Sequence, residues 1–276
     1  MTRLDLSTAV AVVTGAASGI GRATALALAA RGSALALVDR DAAGLTDAAS
    51  GARALGSTVT EHVVDLADAD AVAALPQAVV AAHGRASVLV NAAGVALVGR
   101  FEELALGEIR DLFEVNVFGV IGMTHAFLPI LQHEGQAQIV NVSSLFGILA
   151  PAEQTAYAAS KFAVRGFSEA LRHELAGTGV GVTVVHPGGV ATNISKRARI
   201  AAGADAEAAA RVNARFERTF LTTPPETVGR AIADAIERRQ PRLLVAKGAR
   251  AGALLQRLMP VRYWRLLAPG FERLRR

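Results

Sequence analysis

The 276-residue sequence has no cysteine, which excludes disulfides, thiolate metal sites and cysteine nucleophiles. It also lacks an uninterrupted run of about 18 apolar residues, the length that crosses a bilayer. The first residues lack the apolar core of a signal peptide, so we expect a cytoplasmic protein. Charged residues make up only 19% of the chain and hydrophobic residues 52%. This balance predicts a folded globule rather than a disordered chain.

The net charge is unevenly distributed along the chain, because acidic residues are scarce near its end. The formal net charge is +5, and the range 242–276 holds nine Lys or Arg residues and one acid. That segment therefore carries +8 and leaves −3 for the rest. A body of this charge is not a basic nucleic-acid binder.

Short apolar runs alternate with helix-prone segments along most of the chain. We predict strands at 9–14, 34–38, 58–64, 86–90, 137–142, 180–185 and 242–246, and helices at 22–31, 42–55, 68–83, 105–133, 155–176 and 226–239. Such alternation predicts right-handed crossovers and a parallel sheet with helices on both faces, an α/β fold of three α/β/α layers. The polar range 193–223 shows no strand pattern and predicts a lid over a pocket.

The first predicted strand ends in the glycine-rich turn Gly15-Ala-Ala-Ser-Gly19-Ile-Gly21. A strand, a glycine turn and a helix in this order direct backbone N–H groups and a helix N-terminus at an anion, so the turn predicts a pyrophosphate site. The spacing departs from the commoner Gly-x-Gly-x-x-Gly pattern. An ordinary tight turn is the alternative.

Polar residues also follow the next three strands. Asp39 is placed to accept hydrogen bonds from a ribose diol and to repel a 2′-phosphate, which favours NAD. Arg40 could instead bind that phosphate and favour NADP, and Asp39 could simply cap a helix. Asp65 could accept from an adenine amino group or cap the next helix. Asn91-Ala-Ala-Gly94 follows the fourth strand.

Four polar residues in the second half of the chain predict proton chemistry. Tyr157 and Lys161 lie on one helical face, and a nearby ammonium lowers a phenol pKa. Ser144 follows a strand and is better placed as a hydrogen-bond donor than as a nucleophile. Asn116, in an apolar helix, needs hydrogen-bond partners in a site or in a structural network. We interpret His186 as structural.

In this order and at these intervals, the motifs resemble those of the short-chain dehydrogenase/reductase family over about residues 7–246. The matching pieces are Thr14-Gly15-Ala-Ala-Ser-Gly19-Ile-Gly21, Asp65, Asn91-Ala-Ala-Gly94, Asn116, Ser144, Tyr157-Ala-Ala-Ser-Lys161, Pro187-Gly188 and Thr192. The resemblance implies a single Rossmann-type, doubly wound domain over 1–246 that transfers hydride between an alcohol or ketone and a nicotinamide ring.

The resemblance also implies roles for individual residues. Tyr157 would be the general acid/base, Ser144 would bind the substrate oxygen, and Lys161 would lower the tyrosine pKa and hold the nicotinamide ribose. Asn116 would anchor a water that links Lys161 to solvent. Cofactor contacts are implied for Gly15, Ser18, Gly19, Ile20, Gly21, Asp39, Asp65, Asn91, Gly94, Tyr157, Lys161, Pro187, Gly188 and Thr192. No metal is implied, and a homodimer or homotetramer would form through the helices at 105–133 and 155–176.

The expected pocket-lining residues Val95, Phe146, Leu149 and Gly189 are apolar or small. They favour a lipophilic alcohol or ketone of steroid, retinoid or aliphatic type. An NADP-preferring ketoreductase and a C=N reductase remain alternatives on the same core. A nucleotide-sensing protein without turnover is disfavoured, because such proteins typically lose the tyrosine or the lysine.

The range 247–276 extends past the family core as a basic, amphipathic tail. We predict an apolar helical face of Leu254, Leu255, Leu258 and Met259, with Arg250 and Arg257 elsewhere on the helix. Such a helix suits peripheral contact with a membrane surface. Packing over a neighbouring subunit or over the lid is the alternative.

Overall fold

A computed structural model describes residues 3–275, so Met1 and Thr2 of the expected domain and Arg276 of the tail lie outside it. The strands are β1 Val10–Thr14, β2 Ala34–Asp39, β3 Val59–Val63, β4 Val88–Asn91, β5 Leu97–Val98, β6 Ala137–Val142, β7 Val180–Pro187, β8 Arg199–Ile200 and β9 Arg242–Val245. The helices are α1 Gly19–Ala29, α2 Ala42–Ala54, α3 Ala69–His83, α4 Leu106–Phe113, α5 Gly119–His133, α6 Thr155–Glu174, α7 Asn193–Lys196, α8 Ala206–Phe220, α9 Pro225–Glu237, α10 Ala249–Leu258 and α11 Tyr263–Arg275.

Seven strands form one parallel sheet in the order β3-β2-β1-β4-β6-β7-β9. The chain moves outward from β1 to β3 on one side and from β4 to β9 on the other. The strand order therefore reverses between β1 and β4, which opens a crevice at the carboxyl ends of the strands. This topology confirms the predicted doubly wound α/β fold.

The inner strands β1, β2, β4, β6 and β7 are largely buried on both faces, whereas the edge strands β3 and β9 are only partly buried. Continuous apolar sequences such as that of β1 suit strands covered on both sides. In β1, Val13 packs into a core layer that includes Leu28 of α1 and Ile232 of α9. Val12 faces the opposite layer, which includes Phe127 of α5. Burying a side chain such as Phe127 completely contributes about 2–3 kcal/mol. The alternation along each strand thus fixes which helices cover which face.

The predicted helix at 105–133 is interrupted. A π-helical segment, Glu114–Phe118, separates α4 from α5 and contains Asn116. Among the described residues, 106–133 is also the one helical stretch long and apolar enough to cross a membrane. Here α5 packs against β4, β6 and α3, as a core helix does.

The expectation that the range 193–223 contains no strand is wrong. Arg199 and Ile200 form β8, which pairs with Leu97 and Val98 of β5 in a separate two-stranded ribbon. A strand of two residues is too short to show a periodic pattern and forms only because β5 offers a partner. This pairing holds the first part of the lid against the segment that follows β4.

The tail folds back on the domain as α10 and α11, but the predicted apolar face of α10 is wrong. Leu255 and Met259 are partly buried, whereas Leu254 and Leu258 are exposed. Arg250 and Arg257 share the exposed side with the two leucines rather than lying elsewhere. The side of α10 that packs on the domain therefore includes only part of the predicted apolar face, and the rest of that face is exposed to solvent.

Candidate active site

A cavity of about 1070 Å³ lies along the carboxyl ends of the sheet strands, under the lid and the tail. It is lined by most of the residues singled out in the sequence, namely Gly15, Ser18, Gly19, Ile20, Gly21, Asp39, Asp65, Gly94, Ser144, Tyr157, Lys161, Pro187, Gly188 and Thr192. Val95, Phe146, Leu149 and Gly189 line it too. Asn91 and Asn116 do not line it, and their side chains are buried.

The glycines of the turn line the cavity where the backbone packs too closely for a side chain. Gly15 has φ +67°, and a Cβ there would lie 2.8 Å from the backbone of Ala93. A Cβ on Gly21 would lie 2.1 Å from the carbonyl oxygen of Gly15. Ser18, the N-cap of α1, makes no side-chain cap hydrogen bond, so the first N–H groups of the helix are not satisfied by it. These features fit a pyrophosphate at the helix N-terminus.

Asp39 is fixed against the glycine turn. One carboxylate oxygen accepts from the N–H of Ala17 and the other from the N–H of Asp41, both at 3.0 Å. Asp41, and not Asp39, is the N-cap of α2, which excludes the helix-cap alternative for Asp39. The carboxylate is half-buried at the cavity wall, where a ribose diol could donate to it.

Asp65 likewise does not cap a helix, because Asp68 is the N-cap of α3. Its carboxylate accepts from the N–H of Ala67 and lies 3.4 Å from the guanidinium of Arg40. Both partners of that ion pair are about half-exposed, so it contributes little to stability. Arg40 can therefore move at little cost.

Asn91 and Asn116 are buried and hydrogen-bond to other groups of the protein. Asn91 donates to Thr124 of α5 and to Asn141 of β6, which links the sheet to the helix that covers it. The amide of Asn116 accepts from the N–H of Val95 at 2.8 Å and donates to the carbonyl of the same residue at 2.9 Å. These contacts of Asn116 are those of a structural network, as the alternative reading predicts. The side chain of Asn91 is buried and does not reach the cavity, and its cofactor contact stays a prediction.

Ser144 lies two residues after the end of β6 and lines the cavity. Its hydroxyl accepts from the N–H of Phe146 at 3.0 Å. Its carbonyl oxygen lies 3.0 Å from Nδ1 of His186 at the end of β7. Burial lowers the pKa of His186 to about 4, so the imidazole is neutral and its Nδ1–H donates to that carbonyl. This contact agrees with the interpretation of His186 as structural and shows that it positions Ser144. The sequence does not reveal the contact, because it depends on the pairing of β6 with β7.

Tyr157 and Lys161 occupy one face of α6, with the lysine Nζ 5.8 Å from the centre of the tyrosine ring. Burial raises the pKa of Tyr157 to about 12, and a hydrogen bond with Ser144 acts more weakly in the opposite direction. Burial lowers the pKa of Lys161 to about 8. The expectation of a lowered tyrosine pKa is thus wrong for this structure, because desolvation penalises both charged forms.

The lid and the tail close the cavity opposite the glycine turn with aromatic side chains. Phe216 of α8 lies 6.5 Å from Phe146 and 6.2 Å from Phe271 of α11, measured between ring centroids. Trp264 lies 5.3 Å from Phe271, and Phe146 meets the Tyr157 ring edge-to-face at 6.3 Å. The space next to the phenol is therefore walled by apolar rings.

A doubly wound sheet with a phosphate cradle at one end of its cavity, and a serine, a tyrosine and a lysine at the other, defines a nucleotide-dependent oxidoreductase. A family model described as short chain dehydrogenase matches residues 9–202. The chain belongs to the short-chain dehydrogenase/reductase family, as the motifs predicted.

Known proteins resemble the whole chain. SadH of Mycobacterium tuberculosis, which is named as an oxidoreductase, is 42% identical over 95% of this chain and 94% of its own length. A Burkholderia phymatum short-chain dehydrogenase/reductase crystallised with NAD has a TM-score of 0.85 and 32% identity, covering 93% of this chain and 95% of its own. A metagenomic short-chain oxidoreductase crystallised with NADP has a TM-score of 0.70 and 31% identity, covering 86% and 96%. These neighbours support a nicotinamide cofactor without distinguishing its two forms.

Proposed function

We propose that the protein is an NAD-dependent oxidoreductase that interconverts a lipophilic secondary alcohol and its ketone. One observation carries the proposal: Asp39, Ser144, Tyr157 and Lys161 line a single cavity whose far end is walled by aromatic rings. The acid supports NAD, because a carboxylate there would repel a 2′-phosphate. The apolar wall supports a substrate whose body is hydrocarbon.

A bound nicotinamide would supply or accept the hydride. Tyr157, with its pKa raised to about 12, holds its proton at neutral pH and can donate it to a ketone oxygen. Ser144 offers a second hydrogen bond to the same oxygen. Lys161 lies beside the phenol and donates to the Val142 carbonyl at 3.2 Å; with a pKa of about 8, it is mostly cationic at pH 7 and stabilises a phenolate as it forms.

The relay role of Asn116 stays a prediction. Its amide contacts Val95 and the hydroxyl of Ser160, the latter at 3.1 Å. Ser160 in turn donates to the carbonyl of Tyr157. These contacts fix the start of α6, so Asn116 acts on the site at least through helix position.

A homo-oligomer is part of the proposal. Phe118 of the π-helical segment and Phe162 of α6 are 55% and 39% exposed, and their two elements pack against each other. Large apolar side chains exposed on adjacent elements are typical of a subunit interface. These two side chains lie in the ranges 105–133 and 155–176, through which the family resemblance implies assembly.

Replacing the catalytic phenol tests the function directly. Tyr157→Phe is expected to lower turnover by at least about 100-fold, since a positioned acid or base contributes typically 10²–10⁴-fold. NADH affinity, measured by fluorescence titration, is expected to stay within about threefold. Substrates would come from a panel of steroid, retinoid, aliphatic and polyol alcohols assayed with NAD⁺ and NADP⁺.

The other tyrosine of the chain provides a matched control, because the sequence contains only two. The hydroxyl of Tyr263 accepts from the N–H of Ala150 at 2.9 Å. Tyr263→Phe removes this hydrogen bond but no general acid or base, so it is expected to lower turnover less than Tyr157→Phe does. Unchanged turnover in Tyr157→Phe, or equal losses in the two variants, would contradict the assigned chemistry.

A further inference from the structure

The outer side of α10 carries arginine and leucine side chains together. Arg250, Leu254, Arg257 and Leu258 are all exposed, and their spacing of four, three and one residues places them on one helical face. Leu254 is 58% exposed and Leu258 is 71% exposed. Large apolar side chains grouped on one exposed face are typical of a surface that has a partner.

The outer side of α11 continues this pattern. Arg262, Arg265, Leu266 and Arg273 are exposed at a helical spacing, and Val261, between the two helices, is 87% exposed. We call these exposed sides of α10 and α11, with Val261, the tail face. It combines four large apolar side chains with five arginines.

The inner sides of α10 and α11 pack against the rest of the domain. Gly252 of α10 lies against Leu145 and Leu149, and the hydroxyl of Tyr263 accepts from the N–H of Ala150. Trp264, on the inner side of α11, lines the cavity. The apolar residues of the tail face are therefore not needed to bury the tail on its own domain.

The charges of the tail face indicate what covers it. Within residues 3–275, no ion pair involves any of its five arginines, and Glu272 is the one acid beyond residue 242. A second copy placed symmetrically would bring arginine against arginine. An anionic lipid surface complements the charge and also accepts the apolar side chains.

We propose that the tail face docks the protein on an anionic lipid bilayer. Leu254, Leu258, Val261 and Leu266 insert at the boundary between headgroups and acyl chains. The arginines lay their alkyl stems along the same boundary and pair their guanidinium groups with lipid phosphates. Because the inner sides of α10 and α11 line the cavity, a lipid-dissolved substrate would enter next to the membrane; this consequence rests on the proposed function, whereas the docking does not.

Sedimentation with vesicles tests the docking on the full chain. The protein is expected to co-sediment with vesicles of equal parts phosphatidylglycerol and phosphatidylcholine, and not with phosphatidylcholine alone. Raising the salt from about 0.1 M to about 1 M shortens the screening length from ~10 Å to ~3 Å and is expected to release it. Each arginine contributes about fivefold to the partition coefficient, so Arg262→Gln with Arg265→Gln is expected to lower it on the order of 20-fold.

Arg230 of α9 and Arg238, the C-cap of that helix, are both exposed and supply a control of equal charge. Arg230→Gln with Arg238→Gln is expected to change the partition coefficient less than about twofold. Leu258→Ser with Val261→Ser is expected to weaken vesicle binding and leave the mass in solution, measured by light scattering, unchanged. A wild-type protein that stays in the supernatant, equal losses in the two arginine pairs, or a changed mass in the serine variant would each overturn the proposal. If the wild-type protein binds vesicles but turns over no substrate of the panel, that result would count against the proposed function and not against the docking.

Discussion

Replacing Asp39 with asparagine is expected to shift cofactor preference from NAD towards NADP. A 2′-phosphate bound where a ribose hydroxyl would meet Asp39 would lie about 4 Å from the carboxylate. At an effective dielectric constant of about 20, two unit charges at that distance repel by about 4 kcal/mol, which is a factor on the order of 10³. Asp39→Asn removes that repulsion and keeps one oxygen that can accept from the N–H of Ala17.

Arg40 is expected to strengthen the shift. It lines the cavity beside Asp39, and its ion pair with Asp65 spans 3.4 Å between half-exposed side chains. Such a pair is worth at most about 1 kcal/mol, so Arg40 can turn from Asp65 to a phosphate. In the wild-type protein the nearby carboxylate opposes that phosphate.

The assay is the ratio of kcat/KM for NAD⁺ to kcat/KM for NADP⁺ with one alcohol. We expect the wild-type ratio to exceed about 10² and to fall at least 100-fold in Asp39→Asn. Asp41→Asn is the matched control: Asp41 carries the same charge two residues away, does not line the cavity, and asparagine caps a helix as well as aspartate. An NADP preference in the wild-type protein, or an unchanged ratio in Asp39→Asn, would refute the reasoning.

Two further predictions concern the buried lysine and the apolar helix surface. Since burial lowers the pKa of Lys161 from 10.5 to about 8, the unfolded chain binds that proton more tightly between the two values, and stability rises with pH in this window. The free energy of unfolding of wild type relative to Lys161→Met, from urea titrations, should therefore rise by about 3 kcal/mol between pH ~7 and pH ~10; a flat difference would refute the burial argument. Phe118→Glu with Phe162→Glu should reduce the mass measured by light scattering, whereas Leu55→Glu, at a side chain 50% exposed on another surface, should not; a wild-type monomer would remove the oligomer from the proposal.

The sheet and the cofactor end of the cavity were predictable because their signals are local. A buried parallel strand is a continuous apolar run, and its carboxyl end is marked where the run stops at a polar or glycine residue. Asp39 and Asp65 were located in this way. Their alternative role as helix caps could not be excluded from sequence, because Asp41 and Asp68, which do cap the helices, lie only two and three residues further on.

Local sequence patterns do not reveal contacts between residues that are distant along the chain. The β8 strand exists only through its pairing with β5, and the orientation of α10 depends on which of its sides meets Leu145 and Leu149. The pKa of Tyr157 was predicted from the charge of a neighbour one helical turn away. Burial of the phenol in the cavity, under the lid and the tail, has the opposite effect and raises that pKa.

The loop that carries Ser144 shows why the tail belongs to the active site rather than beside it. On one side His186 donates to the Ser144 carbonyl, and beneath it the Ser143 hydroxyl donates to the carbonyl of Lys161 at 2.8 Å. On the third side the N–H of Ala150 donates to Tyr263 of the tail. A displacement of α11 would therefore act on the same loop that sets the distance between Ser144 and the phenol. A misplacement of about 1 Å can cost on the order of 100-fold in rate. Lipid binding at the tail face would therefore be coupled to the chemistry through only a few hydrogen bonds.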